Sequence, residues 1–576
     1  MSSIGGLYIG VSGLNVSQAA LNITAHNLAN VDTKGFVRQQ AVLTDFNYRK
    51  WGESYISSMQ QGLGANFATV KQVRDSFLDQ AYRRETGRQA FYESQTSAIQ
   101  EVESLFGELE GVAFQDSLDE FWIALQELCK EPDNIVARSS LIETAVTFIE
   151  RAENISKQLN SYQVNLNTQI LNQVNRINEI GNEIKTLNLK IRQYESTGIE
   201  KANDLRDQRN LLLDELGKMA EITYKENTVG IVTVNLEGVP FVTEDMVFRM
   251  DTVRINRNSE MLKPVWVAHG NADVFNMDRA PSSHNDTDIG SLKGLLMARG
   301  DKQAKYTDIP VRDNYETDLE YEAAVRDYNN RIDPSVIMSV QAQFDQLIHG
   351  IVTTINNILC PNREVTLSDG TKVKILDESR APIGMDPNKT MGEELFSRKS
   401  MDRYSDYVDL EIEDGNGGYE HILARVYQEE DPSDNYSLYT LGEIEVNPKI
   451  LQNYSLIPLS SNDGSGEYDI ETAKKLITAW QEPFSTLSPN TLTRNNFNDY
   501  YISFIAEIAN RGERIYTISE NQASMVVSID NKRLEITGVS SDEELTNMIK
   551  YQHAYNAAAR YVNVVSEMME HIIERL

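Results

Sequence analysis

Apolar residues recur at alternating three- and four-residue steps at both ends of this chain and again in its middle. At the start the stripe is Ile4, Leu7, Val11, Leu14, Leu21, Ala25 and Leu28, interrupted by Gln18. Near the end, Ser540-Ser541-Asp542-Glu543-Glu544 offers an N-cap and an acidic first turn. Leu545, Met548, Gln552, Tyr555, Ala559, Val562, Met569, Ile573 and Leu576 then follow, widened by Ile549, Val565 and Ile572, with Ser566 as the weak point. In the middle, Leu166, Ile170, Ile177, Ile180, Ile184, Leu187, Ile191 and Tyr194 keep the cleanest period, broken only by Gln173. These are heptad spacings, and each predicts a helix packed lengthwise on another.

The first helix is unusual on its other face. Residues 1–31 contain no Asp, Glu, Lys or Arg, and Ser, Asn, Gln and Gly stand where a solvated helix carries charge. A helix of this kind is expected to be surrounded by protein. Gly5, Gly6, Gly10 and Gly13 each cost ~1 kcal/mol relative to Ala in a helix interior. Packing must supply the difference, so the two terminal seams are expected to pair and to order on assembly.

Between the ends the pattern is mixed. Residues 89–220 read as long helices, with Glu131-Pro132-Asp133 ending one and opening the next. Gly230–Gly238 and Phe241-Val242 are β-branched and glycine-bounded, so 223–285 reads as a small β-rich insertion. Helical signals return at Gly290–Arg299 and Pro334–Leu359, while the polar, Tyr-rich stretch 301–333 gives no assignment. A second insertion, 361–487, carries strand-like runs at Thr371–Leu376, Tyr407–Ile412 and Ile422–Tyr427 and a helix at Glu471–Trp480. Turns are expected at Asp369-Gly370, Asp414–Gly418 and Asp463-Gly464. Helical period resumes at Phe497, through Ile505, Ile508, Ile515, Ile518, Met525 and Ile529. The expected class is mainly α with β-rich inserted domains: terminal coiled-coil helices, a discontinuous long-helix core, and outer β or α+β modules. The expected divisions are 1–60 with 537–576; 61–222 with 286–360 and 488–536; 223–285; and 361–487.

A length of 576 residues supports several domains, and a net charge of −32 argues against coating nucleic acid or adsorbing to anionic lipid. Two distant cysteines, Cys129 and Cys360, exclude a disulfide framework as an architecture. The N-terminus lacks the basic region of a secretory signal peptide, and no uninterrupted apolar run of ~18 residues predicts a membrane span. No HExxH, P-loop or EF-hand order occurs, so neither metal nor cofactor is expected. Asp409, Glu411, Glu413 and Asp414 alternate as on a solvated edge strand. Arg299-Gly300-Asp301 spells a cell-adhesion tripeptide, and His26 is expected to be a packed, hydrogen-bonded residue.

The string Asn27-Leu-Ala-Asn30-Val-Asp32-Thr33-Lys34-Gly35-Phe36-Val-Arg38-Gln39 resembles the N-terminal signature of the bacterial flagellar axial family of rod, hook and hook-associated proteins. Locally it reads as a helix end, a turn in which Gly35 permits positive φ, and an extended stretch. Several further blocks resemble the hook-associated branch. They are Gly62–Gly64 with Arg74–Gln80, Phe121–Leu128 with Pro132 and Ala137-Arg138, Gly290–Leu296, and Ala554–Arg560. The most specific is Ala202-Asn203-Asp204-Leu205-Arg206-Asp207-Gln208-Arg209 running on to Asp214 and Leu216. There Leu205, Leu212 and Leu216 share one helix face, and the charges offer i,i+3 and i,i+4 pairs such as Asp204 with Gln208.

The resemblance implies a structural role at the hook–filament junction and secretion through the flagellar type III apparatus. It implies self-association in a ring, contact with the hook protein and with a second junction protein, and a cytoplasmic export chaperone. The assembly interface is expected to use Ile4, Leu7, Val11, Leu14, Leu21, Asn27, Leu28, Asn30, Gly35, Phe36, Leu545, Met548, Tyr555, Val562, Met569 and Ile573. Val562, Val565, Met569, Ile572 and Ile573 are the candidate chaperone contacts. The alternatives are a hook or distal-rod subunit, and an enzyme or adhesin module in the outer insertion.

Overall fold

A computed structural model describes residues 2–53, 58–107, 114–197, 200–256, 259–278, 281–413, 418–460 and 469–575. The expected turns at 414–417 and 463–464, Leu576 and the side chain of Ile4 lie outside the described residues.

The chain opens with α1 (Ser2–Ala29), then a ribbon of β1 (Gln39–Asp45), β2 (Tyr48–Glu53), β3 (Ser58–Gly62) and β4 (Ala65–Gln72). β1 pairs with β4 and β2 with β3, antiparallel, in a register running from Gln39↔Gln72 to Glu53↔Ser58. The ribbon is one long hairpin. Residue 60, the expected edge of the terminal division, lies within the β2–β3 pairing of this ribbon.

The core is built on α2 (Ser76–Phe106), α3 (Phe114–Lys130), α4 (Ile135–Tyr194) and α5 (Asn203–Met219). Asn134 caps α4 by accepting the amides of Val136 and Ala137, immediately after the predicted Pro132 break. At 60 residues α4 is about 90 Å long. Its expected stripe from Leu166 to Ile191 is buried throughout, and Gln173 is paired with the Ser291 hydroxyl at 3.0 Å. Tyr194, the last residue of α4, is 60% exposed instead.

Two three-stranded antiparallel sheets lie on α4. One is β5 (Ile222–Glu226), β6 (Val232–Leu236) and β7 (Val239–Val242); the other is β8 (Met250–Arg254), β9 (Leu262–Trp266) and β10 (Ala272–Asp273). Asn178 exchanges two hydrogen bonds with the Met250 backbone, and Asn188 does the same with Val232. Next come α6 (Ser291–Arg299), α7 (Asp318–Asp327) and the deeply buried α8 (Val336–Leu359). The unassigned stretch 301–333 packs Ala304, Ile309, Tyr328 and Ile332 onto Met338 and Ala342 of α8.

The region 361–487, expected as an outer insertion, packs in two parts. Its strands are β11 (Asn362–Thr366), β12 (Lys372–Leu376), β13 (Phe396–Arg398), β14 (Tyr404–Glu413), β15 (Tyr419–Tyr427) and β16 (Ile444–Val446). The sheet β11-β12-β15-β14 has its own small core of Val365, Ile375, Ile412 and Ala424. The remainder, including α9 (Pro448–Gln452) and α10 (Ile470–Gln481), joins the main core through Phe396, Tyr439, Ile450 and Trp480. Trp480 stacks on Trp122 at 5.0 Å, and such aromatic area is worth more buried in the core than left outside.

The chain returns through α11 (Phe497–Thr537), which packs along α2, and ends in α12 (Ser541–Glu574). Phe497, Tyr500, Phe504 and Ile508 are buried, but Ile518 and Met525 are 39% and 47% exposed. α11 runs beside α2, and its lower half keeps only Val526 and Thr537 buried.

Candidate assembly site and its junction to the core

α1 and α12 lie against each other along most of their length, and the contact face of α1 is not its stripe of large residues. Gly6, Gly10, Gly13, Ser17, Ala20, Thr24 and Asn27 repeat at steps of four and three, and all but the half-buried Gly13 are buried. Small residues let the two backbones approach closely. A methyl group added at Gly10 would sit 2.6 Å from Val562 Cγ2 and 3.6 Å from its backbone nitrogen; one at Gly13 would touch Ala558 Cβ at 3.4 Å. Three of the four glycines that weaken the helix in isolation are therefore its packing surface.

The large residues flank this seam. Leu7, Leu14, Leu21 and Leu28 are half-buried and Val11 is 40% exposed. On α12, Val565 is buried and Met548, Tyr555, Val562 and Met569 are half-buried. Leu545 and Ile573, expected in the seam, are exposed, together with Ile549, Val564, Met568 and Ile572. The pair thus closes one seam and leaves a broad apolar margin uncovered.

The signature that follows α1 is a folded turn. Asn30 donates to the His26 carbonyl at 2.9 Å, and the Thr33 hydroxyl donates to Asn30 Oδ1 at 3.1 Å. Gly35 has φ +79°, and a methyl there would collide with Leu211 at 2.5 Å, so glycine is required twice over. Asn27 closes the turn through two bonds with the Gln39 backbone, at 2.9 and 3.0 Å. Phe36 meets the His26 ring edge-on, and His26 is hydrogen-bonded as expected.

This turn docks on the first turn of α5. Val37 N–H donates to Asp207 Oδ2 at 3.1 Å, and Gln39 Nε2 to Asp204 Oδ1 at 3.1 Å. From the returning strand of the ribbon, Gln72 Nε2 reaches Asp207 Oδ1 at 2.7 Å and the Asn203 carbonyl at 3.0 Å. The specific motif of α5 therefore works differently from the expected apolar stripe. Leu213 and Leu216 are buried while Leu205 and Leu212 are only partly so, and Asp204 faces the signature turn rather than Gln208.

The motif's other charges hold this chain together. Arg206 makes a bidentate pair with Glu195 at 2.8 and 2.9 Å. Burial raises the Glu195 carboxyl, but Arg206, the Ala202 amide and Lys201 outweigh it and bring it down to about 2. The buried Arg209 donates to Asn188 Oδ1 at 2.9 Å and the Gly230 carbonyl at 2.6 Å. Asp214 receives Arg83 at 2.7 Å and Arg533 at 2.8 Å, joining α2, α5 and α11.

Arg38, quoted in the signature without a role, proves central. Its amide donates to the Thr537 carbonyl, and its carbonyl accepts from Val73, both at 2.9 Å. Its guanidinium pairs with Glu544 at 2.8 Å and Glu543 at 3.0 Å. The three chain segments that cross between terminal helices and core are laced at this one residue.

Other candidate chemistry resolves into structure. Arg299 is 1% exposed and spends its guanidinium on Asn167, the Leu262 carbonyl and its own neighbour, so the tripeptide is unavailable for adhesion. Asp301 pairs with Arg331. Asp409, Glu411 and Glu413 lie on the exposed edge strand β14. Among the described residues no three metal-ligating side chains cluster, and no helix is long and apolar enough to cross a membrane.

Comparisons with known proteins agree with this geometry. Residues 99–365 match the family model of the flagellar hook-associated protein FlgK helical domain. Residues 7–36 match that of the flagella basal body rod protein, and 531–575 that of the flagellar basal body rod FlgEFG protein C-terminal region. The flagellar hook-associated protein 1 of Bacillus subtilis strain 168 is 24% identical, over 99% of this chain and 98% of its own. Those of Salmonella typhimurium LT2 and Escherichia coli K12 are each 22% identical, over 98% of both chains. The solved flagellar hook junction protein FlgK from Burkholderia pseudomallei shares the fold, with TM-score 0.51 and 13% identity over 80% of this chain and all of that one.

Paired terminal helices outside a discontinuous helical core define a flagellar axial structural protein. The helical-domain match sets it apart from hook and rod subunits, and over nearly its whole length the chain is similar to flagellar hook-associated protein 1.

Proposed function

We propose that this protein is a structural subunit of the hook–filament junction, and that it acts by assembling rather than by catalysing a reaction. The observation that carries the reading is the terminal helix pair: uncharged over its first 31 residues, closed along a small-residue seam, and open along an apolar margin. Copies of the chain form a ring through Leu7, Val11, Leu14, Leu21 and Leu545, with the hook protein on one side and a second junction protein on the other. The terminal module is taken as 1–72 with 537–576, and the remainder as the core, from which the 362–427 sheet projects. In a deletion strain, electron microscopy should find hooks without filaments. Complementation by Leu21→Asp should fail although the variant's core melts normally; normal motility would overturn the reading.

Before export, the exposed α12 residues Ile572 and Ile573, with Val562, Val565 and Met569, are the surface for a cytoplasmic chaperone. Val565 is buried against α1 in the folded pair, so chaperone binding and pairing compete for the same face. Removing residues 562–576 should abolish chaperone binding in calorimetry; unchanged affinity would place that contact elsewhere.

A further inference from the structure

We propose that Asp207 is a proton-operated latch between the terminal module and the core. Two segments end on this one carboxylate. Val37 carries the chain outward to β1 and donates to Oδ2; Gln72 brings it back from β4 and donates to Oδ1. Asp207 is buried, and its described hydrogen bonds come only from these two neutral groups.

The charged groups around it make their pairs elsewhere. Arg74, just before α2, pairs with Asp79 through Nε, and its buried Nη1 has no hydrogen-bond partner among the described residues. Asp204, one turn earlier on α5, faces His26 of α1 and Gln39. Arg206 is held by Glu195 and Glu226, and Arg209 by Asn188, Gly230 and Glu226. From α12, Glu543 and Glu544 are taken by Arg38. Burial pushes the Asp207 carboxyl up to about 7, against the pull of Val37, Arg74 and Gln72 and with a push from Asp204.

A released connector returns Asp207 to water, where a carboxyl titrates at about 4. Docking therefore takes up a proton: it is favoured as pH falls below about 7 and loses that advantage as pH rises through it. Protonated Asp207 donates from Oδ1 to the Gln72 amide oxygen once that amide turns over, at the expense of the Gln72 bond to the Asn203 carbonyl, while Val37 keeps Oδ2.

The test is hydrogen–deuterium exchange on the unassembled full-length subunit, corrected for intrinsic rates, following residues 36–46 with α4 as the reference for core integrity. Protection should be about tenfold greater at pH 6 than at pH 8, the single-proton expectation. Asp207→Asn, a neutral isostere, should hold high, pH-independent protection, and His26→Gln should keep the wild-type profile. A flat wild-type profile, a pH slope surviving in Asp207→Asn, or loss of its protection at every pH would overturn the latch. Because the subunit is unassembled, these outcomes do not depend on its place in the flagellum.

Discussion

Gly10→Val is expected to abolish incorporation of the subunit into the junction while leaving the core's thermal unfolding unchanged. Local propensity and packing pull in opposite directions at this position. A side chain should favour the isolated helix by up to ~1 kcal/mol, but here its first carbon already lies 2.6 Å from Val562. The branched side chain must displace α12, and the seam from Gly6 to Asn27 opens with it. Gly5 is the control, because nothing lies within 4 Å of a methyl group there. Gly5→Ala should be tolerated or mildly stabilising, and equal damage from both substitutions would show that the seam is not the determinant. The same pair tests coupled folding. In the isolated wild-type subunit, amides of residues 2–24 should exchange near intrinsic rates and become protected on assembly, while the turn from Asn27 to Gln39 stays docked. Strong protection over 2–24 before assembly would defeat that mechanism.

Asp214→Ala should destabilise the core by about 3–5 kcal/mol, lowering its melting temperature by about 10 °C. Asp214 is the shared acceptor of two arginines. Arg83 has a side chain 3% exposed and sits over the Tyr224 ring at 4.5 Å; Arg533 is 15% exposed and sits over Tyr82 at 4.3 Å. Removing the carboxylate leaves two nearly buried cations with one partner fewer, which costs far more than losing a surface pair. Asp214→Asn keeps an acceptor for one of them and should recover part of the loss. A melting temperature unchanged in calorimetry would mean that α2, α5 and α11 are joined by apolar packing alone.

What could be read from the amino acids follows the range of the forces involved. The α4 stripe was legible because a long helix facing one core keeps one period. The capped start of α12 and the signature turn were legible because their hydrogen bonds are local. The small-residue seam of α1 was not. Glycine at 6, 10 and 13 reads as weak helix until the approach of Val562 and Ala558 is known, and that approach is tertiary. The charges of α5 were read as a helical surface because their partners lie 130 or more residues away in sequence for Asp204, Asp207 and Asp214. The ribbon was missed because neither β1 nor β4 buries a consistent face, so alternation carries little signal. In 361–487, single aromatics such as Phe396 and Trp480 join the main core, and isolated anchors leave no periodicity.

The lacing at Arg38 has a mechanical consequence. Three chain segments joined side by side through backbone hydrogen bonds form a neck with a lever arm of only about 5 Å. Tension along the neck is shared by three covalent chains, so pulling is resisted well. Twisting is not, because so short an arm turns a modest torque into a large force on each hydrogen bond. Resistance to rotation then falls to the contacts between the terminal module and α5: Val37 and Gln72 with Asp207, Gln39 and His26 with Asp204, and Gly35 against Leu211. Such a neck is expected to bear axial load well and to yield in torsion until those contacts with α5 take the strain.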